Sequence, residues 1–274
     1  MPVPFSVIEP TSAERETPLI VEIPHAGLFV DGPSLALLSA PARAIGRDAD
    51  LYVDELYADA AEAGATVLVS HISRYVVDLN RSEADVDADT VEGVPSTARA
   101  TRGIVWRLTS DGERVLDAPL PRSELERRLE TYYRPYHGAL RDLVARKRAR
   151  FGFAIVLAAH SMPSVGRVGH GYAKPRADVV PGTRGRSSAA APFIRAVDTW
   201  AAATKWSVAH DDPYQGGYTT QHYGKPAENV HVVQLELSRK LYMNETNLMK
   251  NGDFATVRRL CSHLAASLGR TAPR

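Results

Sequence analysis

The sequence predicts an α/β protein, with a mostly parallel, twisted sheet covered by helices on both faces and a single domain over residues 1–274. Three observations carry that expectation. Short apolar runs of strand length alternate with segments of helical periodicity along the chain. One run, Phe153 to Ala159, is continuously apolar, as a strand buried on both faces must be. His25, His160 and the stretch after Glu236 fall at or near the carboxyl ends of predicted strands, where open α/β sheets bind their ligands.

The elements follow in chain order. Pro18 to Pro24 reads as a buried strand, an apolar run punctuated by one charge, and it delivers His25 to a strand end. From Asp48 onward, Val53, Leu56, Tyr57 and Ala60 have the spacing of one helical face, with Gly64 as C-cap and with Asp48 and Asp50 at the helix start. Ala65 to Ser70 and Tyr75 to Leu79 are the next strands, followed by a polar, irregular stretch over 82–103. Ile104 to Leu108 reads as a short strand and Ser110 to Glu113 as a turn. Ser123 and Glu126 form a capping box before a long helix whose stripe is Leu125, Leu129, Tyr132, Tyr136, Leu140 and Leu143, kinked at Pro135. After Phe153 to Ala159 comes a long loop, 161–186, of a length usually functional in compact domains. A helix over 188–204, a strand over 206–209, a loop to Asn229, a strand from Val230 to Leu237 and a helix from Phe254 to Leu268 complete the chain.

Composition narrows the function classes. Residues are 44% hydrophobic and 24% charged, enough for a core and incompatible with disorder throughout. Lys and Arg number 33 against 32 Asp and Glu, so no global field favours a nucleic acid or a membrane surface, and an acidic ligand needs a local arginine cluster. The basic run Arg146 to Arg150 ends a helix, where cations complement the dipole. Cys261 is the single cysteine, which fits a reducing compartment. With neither an apolar leader nor a run approaching the roughly 20 residues that span a bilayer, the expected location is the cytoplasm.

Several residues carry chemistry. His25 and His160, with a carboxylate from the Asp48/Asp50 pair, match the three-ligand set of a catalytic zinc, although a lone strand-end histidine is more often structural. Glu236 shares a strand face with Val232 and Gln234; a carboxylate there is either salt-bridged or a general base tuned by burial. Arg74 and the run Asp78-Leu-Asn80-Arg81 offer the planar fork that suits carboxylates. No Gly-x-Ser-x-Gly elbow exists, which makes Ser161 a poor nucleophile. Gly182 to Ser187 looks like an anion-binding loop without the Walker lysine and reads as a substrate-side loop. His137 and His263 read as structural.

The ordered set Ile-Pro-His25-Ala-Gly, Asp48-Ala-Asp50-Leu-Tyr-Val-Asp54-Glu-Leu-Tyr57, Ser73-Arg74-Tyr-Val-Val-Asp78-Leu-Asn80-Arg81, Ala-His160-Ser-Met, Gly216-Gly-Tyr-Thr-Thr-Gln-His222-Tyr-Gly224 and Gln234-Leu-Glu236-Leu-Ser-Arg-Lys-Leu-Tyr242-Met resembles the N-formylglutamate amidohydrolase family from about residue 18 to 245. That resemblance implies a zinc-carboxypeptidase-like three-layer α/β/α fold and one Zn2+ per chain on His25, Asp50 and His160. It implies Glu236 as general base, Arg74 beside the oxyanion, and Asn80, Arg81, Arg102 and His222 at a small acidic N-acyl amino acid substrate. The implied reaction is hydrolysis of N-formyl-L-glutamate to formate and glutamate, as in histidine degradation. Another N-acyl amino acid or a short peptide is the alternative substrate, and a noncatalytic ligand-binding relative the alternative class. The segments 99–116 and 169–186 match the family only loosely and are expected to line the pocket.

Overall fold

The structure, a computed structural model, describes residues 3–168 and 172–274; the start of the expected pocket loop, Gly169 to Gly171, lies outside the described residues. The strands are β1 (Phe5–Ile8), β2 (Leu19–Ile23), β3 (Thr66–Ser70), β4 (Ala154–Met162), β5 (Val165–Val168), β6 (Tyr172–Pro175), β7 (Val179–Gly182) and β8 (Val230–Ser238). The helices are α1 (Gly32–Leu35), α2 (Ala42–Asp48), α3 (Val53–Leu56), α4 (Arg122–Arg128), α5 (Arg134–Phe151), α6 (Ala191–Thr204), α7 (Tyr218–Tyr223) and α8 (Phe254–Arg270). A six-stranded sheet has the order β1-β3-β2-β4-β8-β7, and β5 pairs with β6 in a separate hairpin. β4 runs parallel to both β2 and β8, whereas β7 is antiparallel to β8. This is the mixed, mostly parallel α/β fold expected. Every residue of β2, β4 and β8 is buried, which accounts for their nearly unbroken apolar sequences.

Two compact units divide the chain: one holds residues up to Ser6, Pro24–Leu51 and Val69–Asp142, the other Val7–Ile23, Tyr52–Leu68 and Leu143–Arg274. In the first, the helical stripe of α4 and α5 is buried as expected. Pro121, rather than Ser123, occupies the cap position of α4, and Pro135 follows a π-helical turn over Leu129–Tyr133. A proline has no N–H for the regular ladder, and the wider turn absorbs that loss. Tyr75 to Leu79 is not a strand. The buried Arg128 guanidinium takes the carbonyls of Tyr75 and Val76 at 3.4 and 2.9 Å, replacing a ladder partner. Ile104 to Leu108 likewise makes only isolated bridges, Arg102 to Trp106 and Leu108 to Arg114.

In the second unit, Val53, Leu56, Tyr57 and Ala60 are all buried, but α3 is one turn followed by a 3-10 turn at Ala58–Ala60. The expected loop over 161–186 instead contains the β5–β6 hairpin and β7, and the stretch before Asn229 contains α7. Residues 206–209 form only a bridge, Val208 to Val179. Cys261 is fully buried in α8, and burial pushes its thiol up to about 12, so it is a packing residue. Among the described residues, no helix is long and apolar enough to cross a membrane.

His231 at the start of β8 is a histidine whose role sequence reasoning did not reach. Its Nδ1 accepts from the backbone N–H of Ala190, the residue before α6, at 3.2 Å, and its ring packs 4.7 Å from Phe193. Burial lowers its pKa below the ordinary value near 6.5. The unfolded chain therefore takes up the proton first: the stabilisation is fully present above about 6.5 and is lost as pH falls toward the lower folded value. Urea unfolding at pH 7.5 and 5.5 is expected to show a smaller loss of stability for His231→Gln, which keeps an acceptor but does not titrate. An equal loss in both proteins would remove His231 from the pH dependence.

Candidate active site

His25 is set by the chain that follows it. Two residues on, a side chain at Gly27 would sit 2.2 Å from the His71 carbonyl carbon, so only glycine permits the Phe29 N–H bond to His71 O at 3.0 Å. Asp50 N–H in turn donates to His25 O at 2.9 Å. The acidic pair therefore does not open a helix as expected. α2 ends at Asp48, Ala49 is extended, and Asp50 occupies the break before α3, where its backbone is tied to His25. Asp48 accepts from the Tyr75 hydroxyl and from Ser110 N–H at 2.9 Å. Burial and the Asp48 charge push the Tyr75 phenol upward, so it remains a donor. Asp48 is thus committed to structure, while Asp50 Oδ2 lies 3.6 Å from His25 Nδ1.

Asp78 organises this unit's polar cluster. The sequence placed it in the Asp78-Leu-Asn80-Arg81 run but assigned it no role of its own. It is fully buried and accepts from His25 Nε2 at 2.8 Å, Trp106 Nε1 at 2.8 Å, Asn80 N–H at 2.9 Å and Arg74 Nη2 at 2.9 Å. Burial opposes its charge, yet Arg74, His25 and Arg81 together hold its carboxyl well below the usual carboxylate range. An ionised Asp78 fixes the His25 tautomer with the proton on Nε2 and leaves Nδ1, on the Asp50 side, unprotonated. A charge within an otherwise apolar Tyr-Val-Val-Asp run is the sequence signal that marks it.

Arg74 is held by Asp78, by a bond from Nη1 to Asp48 O at 3.3 Å, and by the Trp106 ring 4.4 Å from its guanidinium carbon. Arg102 is exposed and lies 5.1 Å from the same ring. Arg81 donates from Nε to Arg102 O at 2.6 Å and from Nη1 to Asn80 O at 2.8 Å, which locks its plane.

In the other unit, His160 and Glu236 are directly paired across the parallel strands β4 and β8, so their side chains share a face. His160 lies inside β4, two residues before its end, rather than just beyond the strand. Gln234, on the same face of β8, donates from Nε2 to Glu236 Oε1 at 3.0 Å and accepts from Gly217 N–H at 2.8 Å. The buried Glu22 of β2 accepts from Thr219 at 3.3 Å. Its lone charge in an apolar run was visible in sequence, whereas Gln234 and Thr219 were not singled out. His222 is exposed on α7, stacked on Tyr218 with ring centroids 4.8 Å apart. The anion-binding look of Gly182 to Ser187 has an internal explanation: Asp211 accepts from the N–H groups of Thr183, Arg184 and Gly185 at 2.7, 3.1 and 2.8 Å.

His25 and Asp50 of the first unit and His160 of the second are all buried. Two imidazoles and a carboxylate are the donor set of a catalytic zinc with one position left for water.

Comparison with known proteins adds an independent line. The N-formylglutamate amidohydrolase family model matches residues 17–243. An N-formylglutamate deformylase of Pseudomonas putida is 36% identical over 232 residues, covering 84% of this chain and 83% of its own length. One of Pseudomonas aeruginosa is 36% identical over 231 residues, covering 83% of each. The crystal structure of N-formylglutamate amidohydrolase from Ralstonia eutropha JMP134 aligns with a TM-score of 0.87 at 28% identity over 97% of both chains. The gene product Atu2144 from Agrobacterium tumefaciens, 19% identical, aligns over 96% of this chain and 94% of its own with a TM-score of 0.67 and shares the fold.

Proposed function

The chain belongs to the N-formylglutamate amidohydrolase family, and from that premise we propose that it hydrolyses N-formyl-L-glutamate to formate and L-glutamate. The observation that carries the reading is the donor set itself, with Asp50 held beside His25 in one unit and Glu236 paired to His160 across adjacent strands in the other. These residues fit a zinc ion: the donor set is right for it, and Asp78 presents His25 in the required tautomer. When bound, zinc supplies Lewis acidity that lowers the pKa of a water and polarises the formyl carbonyl.

The remaining work falls to side chains. Glu236 takes the proton of the attacking water at its carboxylate and returns it to the amine nitrogen as the C–N bond breaks. Arg74, fixed by Asp78, adds positive charge for the oxygen of the tetrahedral intermediate. Arg81 and Asn80 hold the α-carboxylate. Backbone carbonyls occupy Nε and one hydrogen of Nη1 of Arg81, and the rest of the Nη1/Nη2 edge keeps the fork. Arg102 takes the side-chain carboxylate and His222 completes the substrate contacts.

Formate release from N-formyl-L-glutamate, measured before and after chelation, tests the reaction; no release from zinc-loaded protein would end this reading. Arg81→Lys keeps the charge and loses the fork. It is expected to lose about 2 kcal/mol, roughly 30-fold in kcat/KM, on N-formylglutamate and much less on its α-amide. An equal loss on both substrates would take the α-carboxylate away from Arg81.

A further inference from the structure

On the reading that Glu236 is the general base, we propose that Gln234 is the positioning residue that sets the orientation of its carboxylate, and is itself oriented by the backbone of Gly217. The two side chains lie two residues apart on one face of β8 and are 3% and 6% exposed. An amide can face either way in principle. Here the direction is fixed by chemistry: Gly217 N–H, 2.8 Å from Oε1, only donates, so the amide oxygen faces Gly217 and the NH2 faces Glu236 Oε1 at 3.0 Å.

What holds Gly217 in place is also specified by sequence. Gly182 of β7 is the cross-strand partner of Gln234. A side chain at Gly182 would come within 2.7 Å of Gly216 N and 2.9 Å of Tyr214 O, so the glycine lets residues 214–216 lie against the strand. Arg184 then ties this stretch down, through its N–H to Gln215 O at 2.9 Å and its Nη1 to Gly216 O at 3.1 Å. Asp211, gripped by the three amides of the same loop, closes the arrangement. A chain of directional bonds thus runs from the 182–187 loop through Gly217 and Gln234 to Glu236.

The test is a double-mutant cycle on the zinc-loaded enzyme, with kcat, KM and metal content measured for Gln234→Met, Glu236→Gln and the pair. Gln234→Met conserves shape and removes the amide donor. It is expected to lower kcat roughly 10-fold, with KM within about twofold and metal retained. In the Glu236→Gln background it is expected to add nothing, because its effect runs through Glu236. Gln234→Glu keeps the acceptor for Gly217 and loses the donor, so it too is expected to lose kcat; should Gln234→Met fail to fold, this variant carries the test. Unchanged kcat in the folded Gln234 variants beside an inactive Glu236→Gln would overturn the proposal, as would the same fold-loss in both backgrounds. A fully active Glu236→Gln would instead overturn the general-base reading on which the proposal rests.

Discussion

Alanine in place of His160 or His25 is expected to strip the metal and reduce formate release to background, the largest effect foreseen for any single substitution in this chain. Wild-type protein is expected to carry about one zinc per chain. His160 is buried inside β4. Removing one of three protein ligands costs the site its geometry, and what remains is a weak two-ligand pair. The two histidines should differ in one respect. His25→Ala also leaves Asp78 without the imidazole that helps hold it ionised, so this variant should lose more thermal stability than His160→Ala. Elemental analysis of the purified variants measures occupancy, and a melting curve ranks their stability. Full occupancy in both variants would refute the ligand assignment.

Glu236→Gln is expected to keep fold and metal while losing roughly 10²-fold or more in kcat. The substitution is nearly isosteric, and the strand around it is packed on every side, so the backbone has no reason to move. Gln at 236 still offers an acceptor to the Gln234 amide, which preserves the local bonding. It cannot take a proton from water, and the loss should therefore fall on kcat with KM little changed. Turnover near the wild-type rate would reduce Glu236 to a buried structural carboxylate.

The legibility of this protein in its sequence divides along a physical line. Strands β2, β4 and β8 were readable because burial on both faces demands nearly continuous apolar sequence, and that is a local property. His25, His160 and Glu236 followed, since each is anchored to one of those strands. The segment 75–79 has strand-like composition and failed as a strand, because Arg128, a residue from a distant helix, takes the Tyr75 and Val76 carbonyls that a neighbouring strand would need. The break between α2 and α3 was invisible for the same reason: it exists because Asp50 N–H bonds His25 O, and no periodicity records that contact.

By itself, then, the sequence determined the α/β class, the central strands, the two histidines and the buried carboxylate of Glu236. Tertiary structure decided which of two aspartates two residues apart lies beside His25. Tyr75 and Ser110, far along the chain, claim Asp48 and leave Asp50 beside His25. It also decided that Asp78 orients His25, that Gln234 faces Glu236 with its amide donor, and that an apparent anion loop is filled by Asp211. Burial patterns repeat with the period of the local backbone and so are written in consecutive residues. Hydrogen-bond partners are chosen by whatever donor the fold brings within about 3 Å, and that choice has no local period to read.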